Sequence, residues 1–431
     1  MKRSGSFSRR SRFVAGAVFA LFVLGACDDD DREPIVGPDA AEAFDRYVAI
    51  GTSLTMGVQS DGVLYSTQMQ DWTALLAHQA FATYTQPLIQ APGCFSPFIA
   101  PLQLGRRHSG AVAPGIVPAD TTCALFPDIT LPTNDVGIDG ASTYDAHRVT
   151  PETTFVETLK RRRQYRAVLP PGKSQVTAMM MQNPTLVSVE LGANEVLGVT
   201  SGLVVPAAAY RPAGIYTYVP NSVWQPIYGQ VLDSVRKTGA KAILVGVPNT
   251  SSIVSFRSGD ELWQNRTEFA NFGVVIDANC QGNPNQIFVP VKVPTAVATA
   301  RATGTAFNLS CADSPGTQDQ ILTPADITVI TAVVAGMNSY IQSQAAANGW
   351  AYLDASTVLD HFVANRGTYS VARQLGCVSP YGQYISLDGV HPNVQGYQEV
   401  ANAAAQSLNA TYGFKIPMNP QPVLTPAQLC P

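Results

Sequence analysis

Ser53, Asn194 and the pair Asp388/His391 are the residues whose types and settings suit one joint chemistry, nucleophilic attack on a carbonyl. Ser53 follows the apolar run Tyr47-Val48-Ala49-Ile50-Gly51 and precedes Leu54-Thr55-Met56-Gly57. A serine between a strand and a helix sets its hydroxyl at the mouth of a sheet and at the positive end of that helix. Such a place favours an exposed nucleophile and a developing anion. The same place suits a plain helix N-cap. Asn194, in Leu191-Gly192-Ala193-Asn194-Glu195, ends a second apolar run. Its amide N–H can point into the same mouth, where one oxyanion donor is worth about 3–4 kcal/mol of barrier. Gly and Asn are also common in turns after strands. Asp388 stands three residues before His391 in Ser386-Leu387-Asp388-Gly389-Val390-His391-Pro392-Asn393. A carboxylate there can fix the imidazole tautomer and stabilise the imidazolium formed when His391 takes a serine proton. The other histidines are His78, His108, His147 and His361. Asp145 and Asp360 lie close to two of them, but neither of those two stands at the start of a terminal helix beneath the sheet mouth.

The elements that must position these residues are legible as two periodicities. Arg46–Gly51, Leu186–Gly192, Lys241–Val247 and Trp350–Asp354 are continuous apolar or β-branched runs, as strands buried on both faces of a parallel sheet require; Val136-Gly137-Ile138 is a weaker candidate. Helical stretches separate them. Pro151–Tyr165 has a basic C-terminal end, and Ser222–Thr238 carries a stripe of Val223, Ile227, Val231 and Val235. Thr323-Pro324-Ala325-Asp326 reads as an N-cap with Pro at N1, opening a helix that runs to about Ala347, before Gly349. Gln395–Leu408 is a last, Ala-rich helix. This alternation predicts an α/β fold with a doubly wound sheet. Two stretches, about 86–134 and 279–322, fit neither period and read as insertions at the C-terminal edge of the sheet, where α/β folds place ligand sites.

These segments, in this order, resemble the SGNH (GDSL-like) hydrolase family. Gly51-Thr52-Ser53-Leu54 is similar to its first block, Gly192-Ala193-Asn194-Glu195 to its GxND block and Asp388–Pro392 to its DxxHP block. Val136-Gly137-Ile138-Asp139-Gly140-Ala141 is similar to the block that supplies a glycine. The resemblance covers about residues 45–410, apart from the two insertions. It implies a three-layer α/β/α sandwich with a mostly parallel, flavodoxin-like sheet. It also implies a Ser53–His391–Asp388 triad and an oxyanion hole made by the Ser53 and Gly140 N–H groups and the Asn194 side chain. Gly192, Thr52 and Glu195 would support that site, and neither metal nor organic cofactor would be needed. Thr52 and Glu195 both stand where the family has Asp. Neither is the nucleophile, the acid–base pair or an oxyanion donor, so the departures bear on substrate fit and fine geometry.

Composition and leader complete the expectation. With 46% hydrophobic and 13% charged residues the chain should fold around a large core, and it carries no basic stripe of the kind nucleic acid needs. Lys2, Arg3, Arg9, Arg10 and Arg12 precede the apolar Phe13–Leu24, which is short for a permanent span and ends Leu24-Gly25-Ala26-Cys27. This resembles a bacterial lipobox. It implies a signal peptide over 1–26, lipidation of Cys27, and export to a bacterial membrane on its periplasmic side or at the cell surface. Loss of 1–26 takes five positive charges and no negative ones, carrying the net charge from −4 to −9. Asp28 to Asp31 hold much of that beside the lipid, and 27–44 reads as an acidic tether. The hydrolase domain then spans 45–415 and a tail 416–431. Cys94, Cys123, Cys280, Cys311, Cys377 and Cys430 remain, an even set suited to disulfides in an exported chain. The sequential pairing is expected, since each bridge would close a loop-rich stretch.

The substrate expectation is an ester. Leu88, Ile89, Phe95, Phe98, Ile99, Leu102 and Leu104 in the first insertion suit an acyl groove, and equally the core of a stapled flap. A carboxylesterase or lipase is expected. A carbohydrate O-deacetylase of the same family is the enzyme rival. A non-catalytic surface lipoprotein that binds lipid or glycan is the rival of another class.

Overall fold

Four short runs, apolar on their buried faces except for Ser188, become the central parallel sheet. They are β1 (Tyr47–Ile50), β2 (Leu186–Val189), β3 (Lys241–Val245) and β4 (Ala351–Leu353), hydrogen-bonded in that order. Tyr47 registers with Leu186, Val187 with Ala242 and Ile243 with Ala351. The computed structural model describes residues 37–112, 122–156, 158–212 and 214–430. The 1–26 leader, Cys27 and Asp28 to Asp31 lie outside them.

β1 and β2 are buried throughout and β3 and β4 nearly so, which is why the strands read as largely apolar runs rather than alternating ones. Val48, Ile50, Val187, Val189, Ala242 and Leu244 join one core with the helices Gln175–Met181, Asn221–Thr238 and Pro324–Asn348. Tyr47, Ala49, Leu186, Ile243, Val245 and Leu353 join another with Pro38–Phe44, Trp72–Gln79 and Val394–Tyr412. The Val136-Gly137-Ile138 candidate is reduced to one parallel bridge, Asp135 beside Ala49 on the free edge of β1. There the Asp135 carboxylate accepts the Gly137 N–H at 2.7 Å, while the Val136 and Ile138 N–H groups donate to the Ala49 and Gly51 carbonyls and keep the segment alongside β1.

Local chemistry sets the helix ends. The Thr323 hydroxyl accepts the Asp326 N–H while the Asp326 carboxylate accepts the Thr323 N–H, and the helix runs to Asn348 before Gly349 at φ 63°. Asn393 caps the Val394–Tyr412 helix through the Gln395 and Gly396 N–H groups. The expected Pro151–Tyr165 helix is split, because Thr158 caps a new helix, Leu159–Val168, after a 3-10 stretch.

Two other expectations are corrected and one is sharpened. The acidic tether does not extend to residue 44: Pro38–Phe44 is a helix with Ala40, Ala43 and Phe44 buried on the core. The C-terminal tail is tied down by a buried Ile416 and by Cys377–Cys430. The 279–322 insertion is far from element-free. Its Val289–Thr303 helix buries Val289, Val293, Ala296, Val297 and Ala300, one helical face, despite Pro294 inside it. Around that helix lie an antiparallel sheet of Phe256–Ser258, Gln286–Phe288 and Ile321–Leu322, and a parallel pair, Val274–Ile276 with Phe307–Leu309. This region has a core of its own. Among its described residues the 86–134 insertion carries only the 3-10 turn Leu102–Leu104 as a named element, with isolated bridges such as Val63–Cys94 and Phe98–Arg107. Cys94–Cys123, Cys280–Cys311 and Cys377–Cys430 form the expected sequential disulfides. Three disulfides belong to an oxidising, extracellular-type environment. Among the described residues no helix is long and apolar enough to cross a membrane.

Candidate active site

Ser53 is the first residue of a one-turn helix, Ser53–Met56, directly after β1 and the Gly51-Thr52 step. It is not an N-cap, since Thr52 holds that place. A single turn adds little macrodipole, so its hydroxyl owes its setting to hydrogen bonds. The Ser53 Oγ lies 2.9 Å from His391 Nε2, and His391 Nδ1 lies 2.8 Å from Asp388 Oδ2. The three groups are 338 and 3 residues apart in sequence, and both contacts have the reach of a nucleophile, a base and its orienting carboxylate.

The Asp388–His391 turn is closed by its own backbone. Asp388 Oδ1 accepts the Val390 and His391 N–H groups at 2.8 and 2.9 Å, and the Ser386 N–H donates to the His391 carbonyl. Gly389 sits at φ 77°. A Cβ there would lie 2.4 Å from Pro290 of the second insertion, so only glycine fits. The Ser255 hydroxyl donates to the Gly389 carbonyl at 2.6 Å. From the other side, the Asp61 N–H donates to Asp388 Oδ2 at 2.7 Å and the Ser60 N–H to the Ser386 hydroxyl at 2.9 Å.

Electrostatics within this group run in opposite senses. Burial would raise the Asp388 carboxyl, but the His391 charge and hydrogen bond and the two backbone N–H groups carry it down to about 2. Burial would lower His391, but Asp388, then Asp139 and Asp61, raise it above its usual range. Neutral His391 therefore accepts a proton from Ser53 more readily than free imidazole would.

Glu190 lies directly after β2. Its carboxylate accepts the Thr52 N–H at 2.7 Å, the Thr52 hydroxyl at 2.8 Å and the Thr55 hydroxyl at 3.2 Å. Burial, only partly offset by these donors, pushes it up to about 7. A Cβ on Gly51 would fall 2.1 Å from Thr55 Oγ1, so that step also requires glycine. Thr52, the least family-like residue of the turn, thus faces a carboxyl group already in place.

Asn194 borders the same mouth as Ser53, and its Nδ2 donates to the Ala141 carbonyl at 2.9 Å, tying it to the turn that holds Gly140. Gly140 is at φ 71° and shares a cavity wall with Asn194. Gly192 cannot carry a side chain, since a Cβ would lie 2.6 Å from Val247. Glu195 does not face the triad. It accepts the Thr143 N–H at 2.6 Å and the Tyr210 hydroxyl at 2.9 Å, and burial raises it to about 7. His361 pairs with the Tyr384 hydroxyl at 3.1 Å, away from Ser53.

Two cavities open here. One, of about 100 Å³, runs from Ser53 and His391 past Leu197, Ile253, Val358 and Phe362 and is almost wholly apolar. None of the apolar residues of the first insertion lines it. Ile89 is buried and Phe95 and Phe98 enclose the Arg107 guanidinium at 4.3 and 3.8 Å, so that part of the expected acyl groove is instead packing. The other cavity, of about 350 Å³, is polar and meets the first at Asn194. Among the described residues no group of three or more His, Cys, Asp or Glu side chains is gathered as metal ligands would be.

Sequence reasoning missed Glu190 and Asp61. A carboxylate inside the run Leu186–Leu191 is a visible signal, since a charge in a buried strand needs a partner. Asp61 reaches Asp388 through its backbone N–H, for which no side-chain signal exists. No protein-family model matches the chain, and no curated protein matches it.

Proposed function

We propose that the protein is a serine ester hydrolase of the SGNH (GDSL-like) type, a carboxylesterase or lipase working through an acyl-enzyme. The observation that carries this reading is the hydrogen-bonded series Ser53 Oγ, His391 Nε2, His391 Nδ1, Asp388 Oδ2. His391 takes the Ser53 proton as Oγ attacks the ester carbonyl carbon. The Ser53 and Gly140 N–H groups and the Asn194 amide hold the oxyanion, the second N–H of Asn194 remaining after its bond to Ala141. As the tetrahedral intermediate collapses, His391 gives its proton to the leaving alcohol. Water, deprotonated by His391, then attacks the acyl-enzyme and Ser53 leaves with that proton. Asp388 stays ionised throughout and keeps the proton of His391 on Nδ1. The Val136–Ala141 turn supplies Gly140, and the strand order with Asp135 beside β1 agrees with a flavodoxin-like, three-layer sandwich. The lipobox supports an exported protein anchored through Cys27 to a bacterial membrane.

The apolar cavity beside Ser53 favours a hydrocarbon acyl chain over acetyl, and hence an esterase over a deacetylase. Labelling of the folded protein by a fluorophosphonate, with turnover of p-nitrophenyl butyrate, tests the reading. The expected outcome is stoichiometric labelling that Ser53→Ala abolishes, together with turnover. A Ser53→Ala protein with wild-type turnover refutes the nucleophile, and a folded wild type that neither labels nor turns over the ester counts against the hydrolase reading and favours a non-catalytic binding protein.

A further inference from the structure

Two cavities of opposite character meet at a single side chain. The apolar one contains Ser53 and His391, and the polar one contains Gly140; Asn194 borders both. An ester held at Ser53 has two organic arms, and each arm needs a place. At about 100 Å³ the apolar cavity is smaller than the ~150 Å³ void that admits benzene, which suits an acyl chain of a few carbons. The polar one is more than three times larger.

The polar cavity is a built site. Asp145 at its floor is nearly buried and pairs with Arg161 at 2.9 Å and Arg211 at 2.5 Å, so both guanidinium groups are held in fixed directions. Arg211 adopts φ 52°, a conformation costly for a residue with a side chain. Tyr210 stacks on Tyr144 at 5.5 Å and gives its hydroxyl hydrogen to Glu195. Glu195 Oε2 is buried at the cavity wall with no hydrogen-bond partner, although a buried carboxyl oxygen normally has one. Tyr216, 37% exposed, forms the outer wall. Fixed donors, an acceptor and an aromatic ring together recognise several hydroxyl groups on a compact carbon frame.

We infer that this cavity binds the alcohol arm of the substrate, and that the substrate class is the short-chain acyl ester of a polyhydroxylated alcohol, a glycerol or sugar ester. This rests on the ester-hydrolase reading above. The ester oxygen is bonded to the reacting carbon, so it stays within reach of His391 Nε2 while the rest of the alcohol passes Asn194 into the polar cavity. The apolar cavity then keeps the acyl chain dry. Neither cavity alone would select the ester, since an apolar pocket leaves the alcohol unread.

The test compares kcat/KM for ethyl butyrate, glycerol monobutyrate and a methyl glucoside monobutyrate with the wild type and with Arg211→Ala and Tyr216→Ala. Both alcohols share the hydroxylated chemistry, and their relative rates tell glycerol from sugar. The expected result is at least one polyol ester cleaved about tenfold or more better than ethyl butyrate, with that ratio falling severalfold in each variant. Tyr216→Ala changes a half-exposed ring, so it serves where Arg211→Ala loosens the fold. Equal rates on all three esters in the wild type overturn the inference. So does a ratio that survives in both folded variants. In either case ester hydrolysis itself would stand, whereas no turnover of any ester and no fluorophosphonate labelling would remove the hydrolase reading beneath it.

Discussion

Two buried carboxyl groups stand on opposite sides of the Ser53–His391 contact, and they titrate in opposite directions. Glu190, behind Ser53, receives the Thr52 N–H and the hydroxyls of Thr52 and Thr55, all neutral donors, and is pushed up to about 7. Asp388, behind His391, receives backbone N–H groups as well, but also an imidazole that can carry charge, and is carried down to about 2. Glu190 is buried and Asp388 nearly so. The difference teaches that neutral hydrogen bonds only reduce the penalty of burying a carboxylate, while a partner that becomes a cation reverses it. Asp388 is thus an ion at every working pH, and Glu190 is a brace that holds a proton in acid and releases it near neutrality.

The largest expected effect breaks the Asp388 side. Asp388→Asn keeps the shape but removes the charge, and it presents an N–H where Nδ1 needs an acceptor. A fall in kcat of about 10³–10⁴-fold on p-nitrophenyl butyrate is expected, comparable to triads elsewhere. His391 must be neutral to act as a base, and its pKa is raised. The acid limb of wild-type kcat/KM therefore lies above pH 6.5 and should move to lower pH in Asp388→Asn. A limb that does not move would mean that Asp388 does not set the basicity of His391.

The Glu190 side is broken through stability. An acid whose folded pKa is raised supports the folded state fully below its unfolded value, 4.5 here, and loses that contribution as pH rises through about 7. For this shift the loss is about 3 kcal/mol. Denaturant unfolding at pH 4 and pH 8, with disulfides intact, should therefore show a smaller drop in Glu190→Gln than in wild type by about that amount. Asp71 is raised to about 7 by burial as well, so the variant keeps part of the slope. An unchanged drop would show that Glu190 is ionised at no unusual cost.

Thr52 links this comparison to the family pattern. Its hydroxyl lies within 2.9 Å of both Glu190 oxygens. Aspartate at 52 would set a second carboxylate there, and two such groups cannot both ionise at low cost. Thr52→Asp should lower kcat/KM by about thirtyfold at pH 8 and by less at pH 5. Adding Glu190→Gln should restore most of the loss. Wild-type activity of Thr52→Asp at pH 8 would mean that Glu190 does not dictate the residue at 52.

These same residues mark what sequence reading reaches. β1 to β4 were legible because strands buried on nearly all sides need largely apolar runs, and the meeting of Ser53, His391 and Asp388 because three segments each carried a chemically suited residue in order. The Val289–Thr303 helix was not, because Pro290 and Pro294 read as breakers, whereas one sits in the first turn and the other removes a single hydrogen bond from a helix held by its buried face. The apolar cavity beside Ser53 is lined by no residue of either insertion. Phe95 and Phe98 are apolar, yet their partner is Arg107, and a cation between two rings has no apolar signature in sequence.

Arg107 gives the smallest and most specific effect. It is 6% exposed, donates to the Ser96 carbonyl at 2.7 Å and pairs with Asp61 at 2.6 Å. Asp61 sits at φ 59° and donates its backbone N–H to Asp388. The chain of contacts from Phe95 and Phe98 through Arg107 and Asp61 therefore ends on the triad. Arg107→Met keeps the volume between the rings and removes the ion pair. Asp61 is then free to relax from its strained φ, and the bond to Asp388 lengthens with it. About a tenfold fall in kcat with KM nearly unchanged is expected, because small misplacement of catalytic groups costs rate rather than binding. Arg107→Lys should recover part of it, since the charge returns but the stacked fork does not. A fall in stability with kcat intact would make Arg107 a brace of the insertion alone and leave Asp388 held by its own turn.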